Sequence, residues 1–235
     1  MPICPGDIQR LLEEKNYISP WLTYNEFTPE QFSGVQTQRI LLKKNQVLYS
    51  QGLTNQYIYL IKSGRVRMES VDNDGTENCI YIAGEGCLIG EESAVNGILS
   101  YLTATAIMDS VLIRMTYGEF LQALSSNPTL CDQVMHHLTY KVQVCCSQRQ
   151  YFSKNATARV AITLLFLCAR YGELRGDDFI INMKFTHDEV AKLTGLNRVT
   201  VTKLLKILGE NNIIEKRGGY FHIKDMDWLV SPLAS

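Results

Sequence analysis

The spacing of apolar positions changes character along the 235-residue chain. Between Arg39 and Met115 apolar and polar residues alternate in short runs: VLYSQG, YIYLIKSGRVRMESV, ENCIYIAGEGCLIG and SYLTATAIMDSVLIRM. These runs are rich in β-branched and aromatic residues, the pattern of strands that bury one face. Asn73-Asp74-Gly75 separates two of them as a hairpin turn would. Several short strands at this spacing predict a small antiparallel barrel or roll rather than a parallel sheet. Ahead of them, residues 1–38 hold a short helix, IQRLLEEK, and a polar, proline-containing approach with few buried positions.

Past Thr116 the period becomes helical. Thr116 with Glu119 predicts a capping box for a short helix through Leu124, and Asn127-Pro128 marks the start of the next. From about Pro128 to Ser153 no Gly or Pro follows the first turn. Apolar or neutral residues recur at Cys131, Met135, Leu138, Val142, Cys145 and Phe152, in a 4-3-4-3 spacing. Such a stripe on a helix nearly ~40 Å long reads as a dimer seam, the alternative being that it packs on its own roll. Ala156–Arg170 is almost wholly apolar and predicts a buried helix. A polar loop over Gly172–Asp178 and a strand, FIINMKF, follow.

FTHDEVAKLTGLNRVTVTKLLKIL reads as helix, tight turn, helix. Thr186 and Glu189 can form a capping box, Asn197 can cap the second helix, and Gly195 supplies the turn conformation. Val190, Leu193, Leu196, Val201, Leu204 and Leu205 fill the core between the helices. Ile213 to Ile223 forms two short strands around Gly218-Gly219, a wing. From Lys184 to Arg217 there are seven Lys/Arg against four Asp/Glu, a local excess of three within a chain of net charge −1. Nucleic acid must therefore be met by a local patch. The outward face of the second helix carries Asn197, Arg198, Val199, Thr200, Thr202 and Lys203, residue types that read bases or hold phosphates in the major groove.

Composition narrows the remaining choices. Apolar residues make up 46% and charged residues 20%, as in globular proteins. No apolar run approaches the ~18 residues of a membrane span. The N-terminus lacks the basic start and apolar core of a secretory signal, so a cytoplasmic protein is expected. Seven scattered cysteines without a C-x-x-C pair fit a reducing compartment, with Cys145–Cys146 and Cys4 the redox candidates. No nucleophile–base–acid pattern, phosphate loop or paired metal spacing points to an enzyme, and no metal or cofactor is expected.

A roll, a long helix and a C-terminal winged helix-turn-helix together resemble the cyclic-AMP receptor and fumarate–nitrate regulator (Crp–Fnr) family of bacterial transcription factors. The resemblance runs from about Val35 to the C-terminus. It rests on Ile61-Lys62-Ser63-Gly64, Gly84-Glu85-Gly86-Cys87-Leu88-Ile89-Gly90-Glu91, Asn155-Ala156-Thr157-Ala158-Arg159-Val160 and Thr194-Gly195-Leu196-Asn197-Arg198. It implies an α+β chain with three parts: an antiparallel β-roll effector domain over 1–126, a long dimerisation helix over 127–154, and a winged helix-turn-helix over 155–235. It also implies a homodimer on near-palindromic double-stranded DNA that recruits RNA polymerase.

Departures from the family pattern bear on the ligand. In its cyclic-nucleotide binders an Arg-Ser pair after a short pocket helix neutralises the cyclic phosphate. Here Leu99-Ser100-Tyr101-Leu102 stands there, without arginine, and Glu91 and Glu92 make the pocket acidic. A cyclic nucleotide is therefore not expected. Cys4 alone near the N-terminus does not provide for an iron–sulfur cluster, and the roll has no His for haem. Ile80-Tyr81-Ile82-Ala83-Gly84 followed by Leu88-Ile89-Gly90 is similar to the halorespiration (CprK-like) branch, whose effectors are halogenated phenols. The effector site so implied comprises Tyr81, Ile89, Gly90, Glu91, Ser100, Tyr101, His137, Tyr140, Lys141, Val144 and Cys145. Lys141 would favour a phenolate by charge pairing, and dimer packing with a solvated Lys141 is the alternative.

In the family, the positions matching Arg198, Val199 and Lys203 contact bases. Val199 replaces the usual glutamate and suits a thymine methyl, whereas Thr186, Thr200 and Thr202 suit phosphates. The mechanism implied is an effector-driven shift of the seam around Leu138–Phe152, turning at Asn155. A constitutive ligand-free activator of the same fold, or a thiol-redox-switched regulator, stands as the alternative.

Overall fold

The computed structural model describes residues 4–22, 27–73, 75–175 and 178–233. The first helix, α1 (Pro5–Glu14), begins with Pro5 at a position where no amide donor is needed. The Cys4 amide donates to the Asp7 carboxylate over 3.0 Å, and Ile8 and Leu12, one turn apart, form the buried face.

Among the described residues, nine strands follow: β1 (Trp21–Leu22), β2 (Gln38–Leu42), β3 (Val47–Tyr49), β4 (Tyr57–Ser63), β5 (Val66–Val71), β6 (Glu77–Ala83), β7 (Leu88–Ile89), β8 (Thr103–Ala106) and β9 (Ser110–Thr116). A one-and-a-half-turn helix, α2 (Glu91–Asn96), lies between β7 and β8. The strands form two sheets, ordered β1-β6-β5-β8-β3 and β2-β9-β4-β7. Every pairing is antiparallel except β1 with β6, which is parallel, so the expected antiparallel roll is correct save at that edge. Strands β5 and β6 pair as the expected hairpin. Asp74 of its turn lies outside the described residues, and Gly75 takes φ +83°.

The approach to the roll buries more than its polar texture suggested. Phe27 and Phe32 join Ile58, Leu60, Leu88 and Met115 in the roll's main cluster. A short 3₁₀ turn, Pro29–Phe32, directs Phe32 inward, where it stacks on Phe120 with ring centroids 6.3 Å apart. The Thr116–Glu119 capping box forms as expected and starts α3 (Tyr117–Ser126), two residues longer than expected.

The long helix is α4 (Pro128–Phe152), 25 residues from the expected Asn127-Pro128 start. It carries two neighbouring stripes of 4-3-4 spacing. Leu130, Val134, His137, Lys141 and Val144 are buried against the roll. Cys131, Met135, Val142 and Cys145 lie exposed, with Leu138 half-buried. The stripe read from the sequence is thus the outer one, and packing on the roll falls to its neighbour.

The C-terminal part contains α5 (Ala156–Tyr171), β10 (Gly172–Arg175), β11 (Asp178–Ile181), α6 (His187–Thr194), α7 (Arg198–Glu210), β12 (Ile214–Arg217), β13 (Tyr220–Ile223) and α8 (Met226–Val230). Asn155 caps α5, whose residues from Val160 to Cys168 are all buried. The polar loop expected over Gly172–Asp178 is half strand. β10 pairs antiparallel with β11, setting Leu174 opposite Phe179, because this edge of the sheet needs a partner strand; Gly176 and Asp177 lie outside the described residues. The four-stranded sheet runs β10-β11-β13-β12, and its β12–β13 hairpin is the expected wing.

Two compact units result. One is Pro20–Cys145; the other joins residues 1–19 to 146–235. This departs from the expected boundaries of 1–126, 127–154 and 155–235. Residues 5–14 belong with α5 because Ile8 and Leu12 bury their face in that unit. The last turns of α4 belong there because the buried Tyr151 hydroxyl bonds Thr163 Oγ1 over 2.7 Å.

Candidate effector pocket and nucleic-acid interface

Within the roll unit, the turn from β7 into α2 is shaped by Gly90. It adopts φ +87°, and a Cβ there would lie 2.6 Å from the Tyr57 carbonyl oxygen and 2.7 Å from Asn55 Nδ2. Only glycine fits both the conformation and the space. Asn55 knits this turn to β4, its Nδ2 donating to the carbonyls of Tyr57 (2.7 Å) and Gly90 (3.2 Å), while the Tyr59 hydroxyl donates to Asn55 Oδ1 (3.2 Å). The turn places Glu91 and Glu92 side by side at the start of α2.

The two carboxylates are treated differently. Glu91 is buried and accepts a short hydrogen bond from Lys141 Nζ, which reaches in from α4. Lys141 also donates to the Leu88 carbonyl over 2.7 Å and sits 5.3 Å from the centre of the Tyr81 ring. Glu92 Oε1 accepts from the Ser100 hydroxyl over 3.3 Å, and that hydroxyl also meets the Leu102 carbonyl at 2.9 Å. Burial, followed by repulsion from Glu91, raises the Glu92 carboxyl above its ordinary range. Glu91 Oε2, Glu92 Oε2 and the Tyr49 hydroxyl are buried and have no hydrogen-bond partner within the protein. A buried acceptor left in that state costs about 1–3 kcal/mol.

Three tyrosines belong to the same unit, Tyr81 beside Lys141 and Tyr59 bonded to Asn55. Tyr49 stacks on Tyr59 at 6.0 Å between centroids, and burial, then Glu92, holds the Tyr49 phenol well above its ordinary range. Tyr81 is buried, and desolvation and then Glu91 raise it likewise. His137 Nε2 lies 3.3 Å from the Leu88 carbonyl, and burial with the adjacent Lys141 ammonium lowers the imidazole to about 3. His137 is therefore neutral and serves as a hydrogen-bonding core residue.

Of the expected effector-site residues, Tyr81, Ile89, Glu91, Ser100, His137, Lys141 and Val144 are buried, Gly90 forms the turn, and Tyr140 is half-buried. Tyr101 (69% exposed) and Cys145 lie on the surface and do not join the buried group. Lys141 is neither solvated nor an open counter-ion for a phenolate, because Glu91 already holds its charge. Tyr49, Tyr59 and Asn55 were missed. They lie 30 or more residues from α2 in sequence and reach it only through sheet pairing.

In the other unit, Thr186 caps α6, accepting the Glu189 amide at 3.1 Å, and Gly195 ends the helix at φ +60°. Arg159 on α5 donates to the Thr194 carbonyl over 3.1 Å, fixing the turn from beneath. Asn197 Oδ1 accepts the Thr200 amide at 2.8 Å, so Asn197 and Thr186 are first of all caps. Arg198, Val199, Thr202 and Lys203 are exposed on one end of α7, while Val201 and Leu205 anchor it. Thr202 Oγ1 lies 3.0 Å from His187 Nδ1. Beside them, a groove of about 330 Å³ between α7 and the wing is lined by His187, Thr202, Leu205, Lys206, Glu215 and Lys216 among others, so two lysines and one carboxylate border it.

A β-roll followed by a winged helix-turn-helix with an exposed, basic second helix is the make-up of a transcription regulator rather than an enzyme. Residues 39–127 match the cyclic nucleotide-binding domain family, and residues 158–231 match the Crp-like helix-turn-helix domain family. A CRP-like cAMP-activated global transcriptional regulator of Mycobacterium tuberculosis is 25% identical over 83% of this chain and 87% of its own. The global nitrogen regulator of Nostoc is 26% identical over 73% of this chain and 78% of its own. The solved structure of CprK complexed with OCPA superposes with a TM-score of 0.69 at 19% identity, covering 91% of this chain and 99% of that one. The chain belongs to the Crp–Fnr family of transcription regulators.

Proposed function

We propose that this chain is an effector-responsive regulator that works in the cytoplasm as a homodimer on a near-palindromic promoter site and recruits RNA polymerase there. The observation that carries the DNA reading is the exposed end of α7. Arg198, Val199, Thr202 and Lys203 stand exposed together on a helix anchored by the buried Val201 and Leu205. Arg198 and Lys203 serve as base or phosphate donors, Val199 favours a thymine methyl, and Thr186, Asn197, Thr200 and Thr202 approach phosphates. The exposed stripe Cys131, Met135, Val142 and Cys145 of α4 supports the homodimer, since a second copy buries it along a two-fold seam.

The effector is a small organic molecule seated in the roll near Tyr81, Gly90, Glu91, Ser100 and Lys141, rather than a cyclic nucleotide. No arginine stands beside Ser100, whose hydroxyl is engaged by Glu92 and Leu102, and two carboxylates oppose an anionic phosphate. The ligand must favour the DNA-competent state to change anything. The test is recovery of bound duplexes from a random pool, followed by fluorescence anisotropy on the selected site. A symmetric site is expected, with Arg198→Ala weakening binding by at least about tenfold, or ~1.4 kcal/mol. An asymmetric site, or one read equally well by the variant, overturns the reading.

A further inference from the structure

All seven cysteines are reduced thiols, and burial divides them into two groups. Cys79, Cys87 and Cys168 are buried. Desolvation pushes the Cys79 thiol up to about 12 and raises Cys168 as well, which keeps both as unreactive packing groups. Cys4, Cys131, Cys145 and Cys146 are exposed. Two of these, Cys131 and Cys145, lie on the outer stripe of α4, with the exposed Met135 and Val142 and the half-buried Leu138 between them. They stand two seven-residue repeats apart and so occupy the same position of the 4-3-4-3 pattern. Helix geometry excludes any bridge within α4. Neighbouring Cα atoms are ~3.8 Å apart, short of the ~4.4 Å that a disulfide needs, so Cys145 and Cys146 do not pair on a helix. Cys131 and Cys145 are ~21 Å apart along the axis at ~1.5 Å per residue. Either thiol needs a partner from outside the helix.

We propose that Cys131 and Cys145 are two oxidation-sensitive rungs, each forming a disulfide with its own counterpart in a second copy of this chain. The inference rests on the homodimer proposed above and gives two residues of its seam a covalent role. A two-fold axis running parallel to α4 sets each residue of the outer stripe opposite itself. Met135, Leu138 and Val142, between the rungs, bring no charge that would hold the copies apart. Packed helices lie ~8–10 Å apart, with Cα atoms ~2.3 Å from each axis. Facing Cα atoms are then about 3.5–5.5 Å apart, which overlaps the ~4.4–6.8 Å span of a disulfide. Cys146 is turned ~100° from that line and stays off it. With a peroxide as oxidant, one thiolate attacks a peroxide oxygen and becomes a sulfenic acid as water leaves. The facing thiol attacks that sulfur, a second water leaves, and the S–S bond closes. Two protons and two electrons thus pass from two thiols to one peroxide. A thiol reductant reopens the bridge by exchange. While closed, it holds the two copies in one particle however dilute the chain.

The experiment treats the purified full-length chain with hydrogen peroxide and follows it by non-reducing electrophoresis, peptide mass mapping and sedimentation equilibrium. The reduced chain is expected to sediment as a dimer and to run on the gel as a monomer. Oxidation is expected to give a covalent dimer that dithiothreitol reverses, with Cys131–Cys131 and Cys145–Cys145 bridges in the map. Cys131→Ser combined with Cys145→Ser is expected to lose the covalent dimer and still to sediment as a dimer. Cys146→Ser is expected to cross-link as the parent does. Should the double variant fail to fold, the peptide map of the parent decides. A bridge that maps to Cys4 or Cys146, a bridge joining Cys131 to Cys145, or a covalent dimer that survives the double variant overturns the proposal. So does a sedimenting dimer that peroxide leaves uncrosslinked, a result under which the homodimer reading stands. A chain that sediments as a monomer overturns the homodimer reading and the proposal with it.

Discussion

Gly90 and His137 show how single residues set the roll's interior. A methyl group at Gly90 meets the Tyr57 carbonyl at 2.6 Å in a backbone conformation costly for any other residue, so Gly90→Ala should lose about 2 kcal/mol or more of stability. A urea titration measures this, and an unchanged midpoint would contradict it. His137 is buried neutral, its imidazole lowered to about 3 against an ordinary 6.5. Below pH 6.5 the unfolded chain takes up a proton that the folded chain refuses, so stability is whole above that pH and falls as pH drops toward 3. His137→Gln can keep a donor for the Leu88 carbonyl and cannot titrate. Between pH 6.5 and 4.5 its melting temperature should therefore fall less steeply than that of the parent; parallel curves would refute the buried neutral imidazole.

At the scale of elements, α4 carries two stripes, one buried and one exposed. The inner one, Leu130 to Val144, is part of the roll's own core. Val142, 62% exposed, stands mid-way along the outer one, where an exposed aliphatic gains only by meeting another surface. The proposed homodimer seam predicts that Val142→Glu yields a monomer while leaving the melting of the roll nearly unchanged. Sedimentation equilibrium checks this, and a dimer of undiminished affinity would contradict the seam. Local signals made much of this architecture legible: the Thr116–Glu119 and Thr186–Glu189 capping boxes, Asn127-Pro128 and Gly195 each act over a few residues, and each stands where expected. Strand β10 and the burial of Phe27, Phe32, Ile8 and Leu12 were not legible, because those choices depend on which distant surface needs covering. The candidate site in the roll divides in the same way. Gly90-Glu91 and the facing Lys141 could be read from motif and helical spacing. Tyr49, Tyr59 and Asn55 come to α2 only through long-range pairing in the two sheets.

At the scale of the whole molecule, one chain carries both the roll and the helix-turn-helix that is proposed to read DNA. In the roll, Glu91 Oε2, Glu92 Oε2 and the Tyr49 hydroxyl are buried without a hydrogen-bond partner among the described residues, at a cost in free energy. The reader, the helix-turn-helix, is held by Arg159, which donates to the Thr194 carbonyl at its turn, and by Tyr151, which bonds Thr163 and the Leu193 carbonyl. Because Tyr151 belongs to α4, the helix that contributes Lys141 to the roll also contributes an anchor to the reader. A ligand present at 100 times its dissociation constant adds ~2.7 kcal/mol to the state it prefers, enough to move a balanced equilibrium almost completely. The most direct test is an anisotropy titration of the selected symmetric duplex, with and without a small organic compound that raises the melting temperature of the chain. Two chains per duplex and a dissociation constant changed by at least about tenfold on adding the compound are predicted. One chain per duplex, or an affinity indifferent to the compound, would contradict the account.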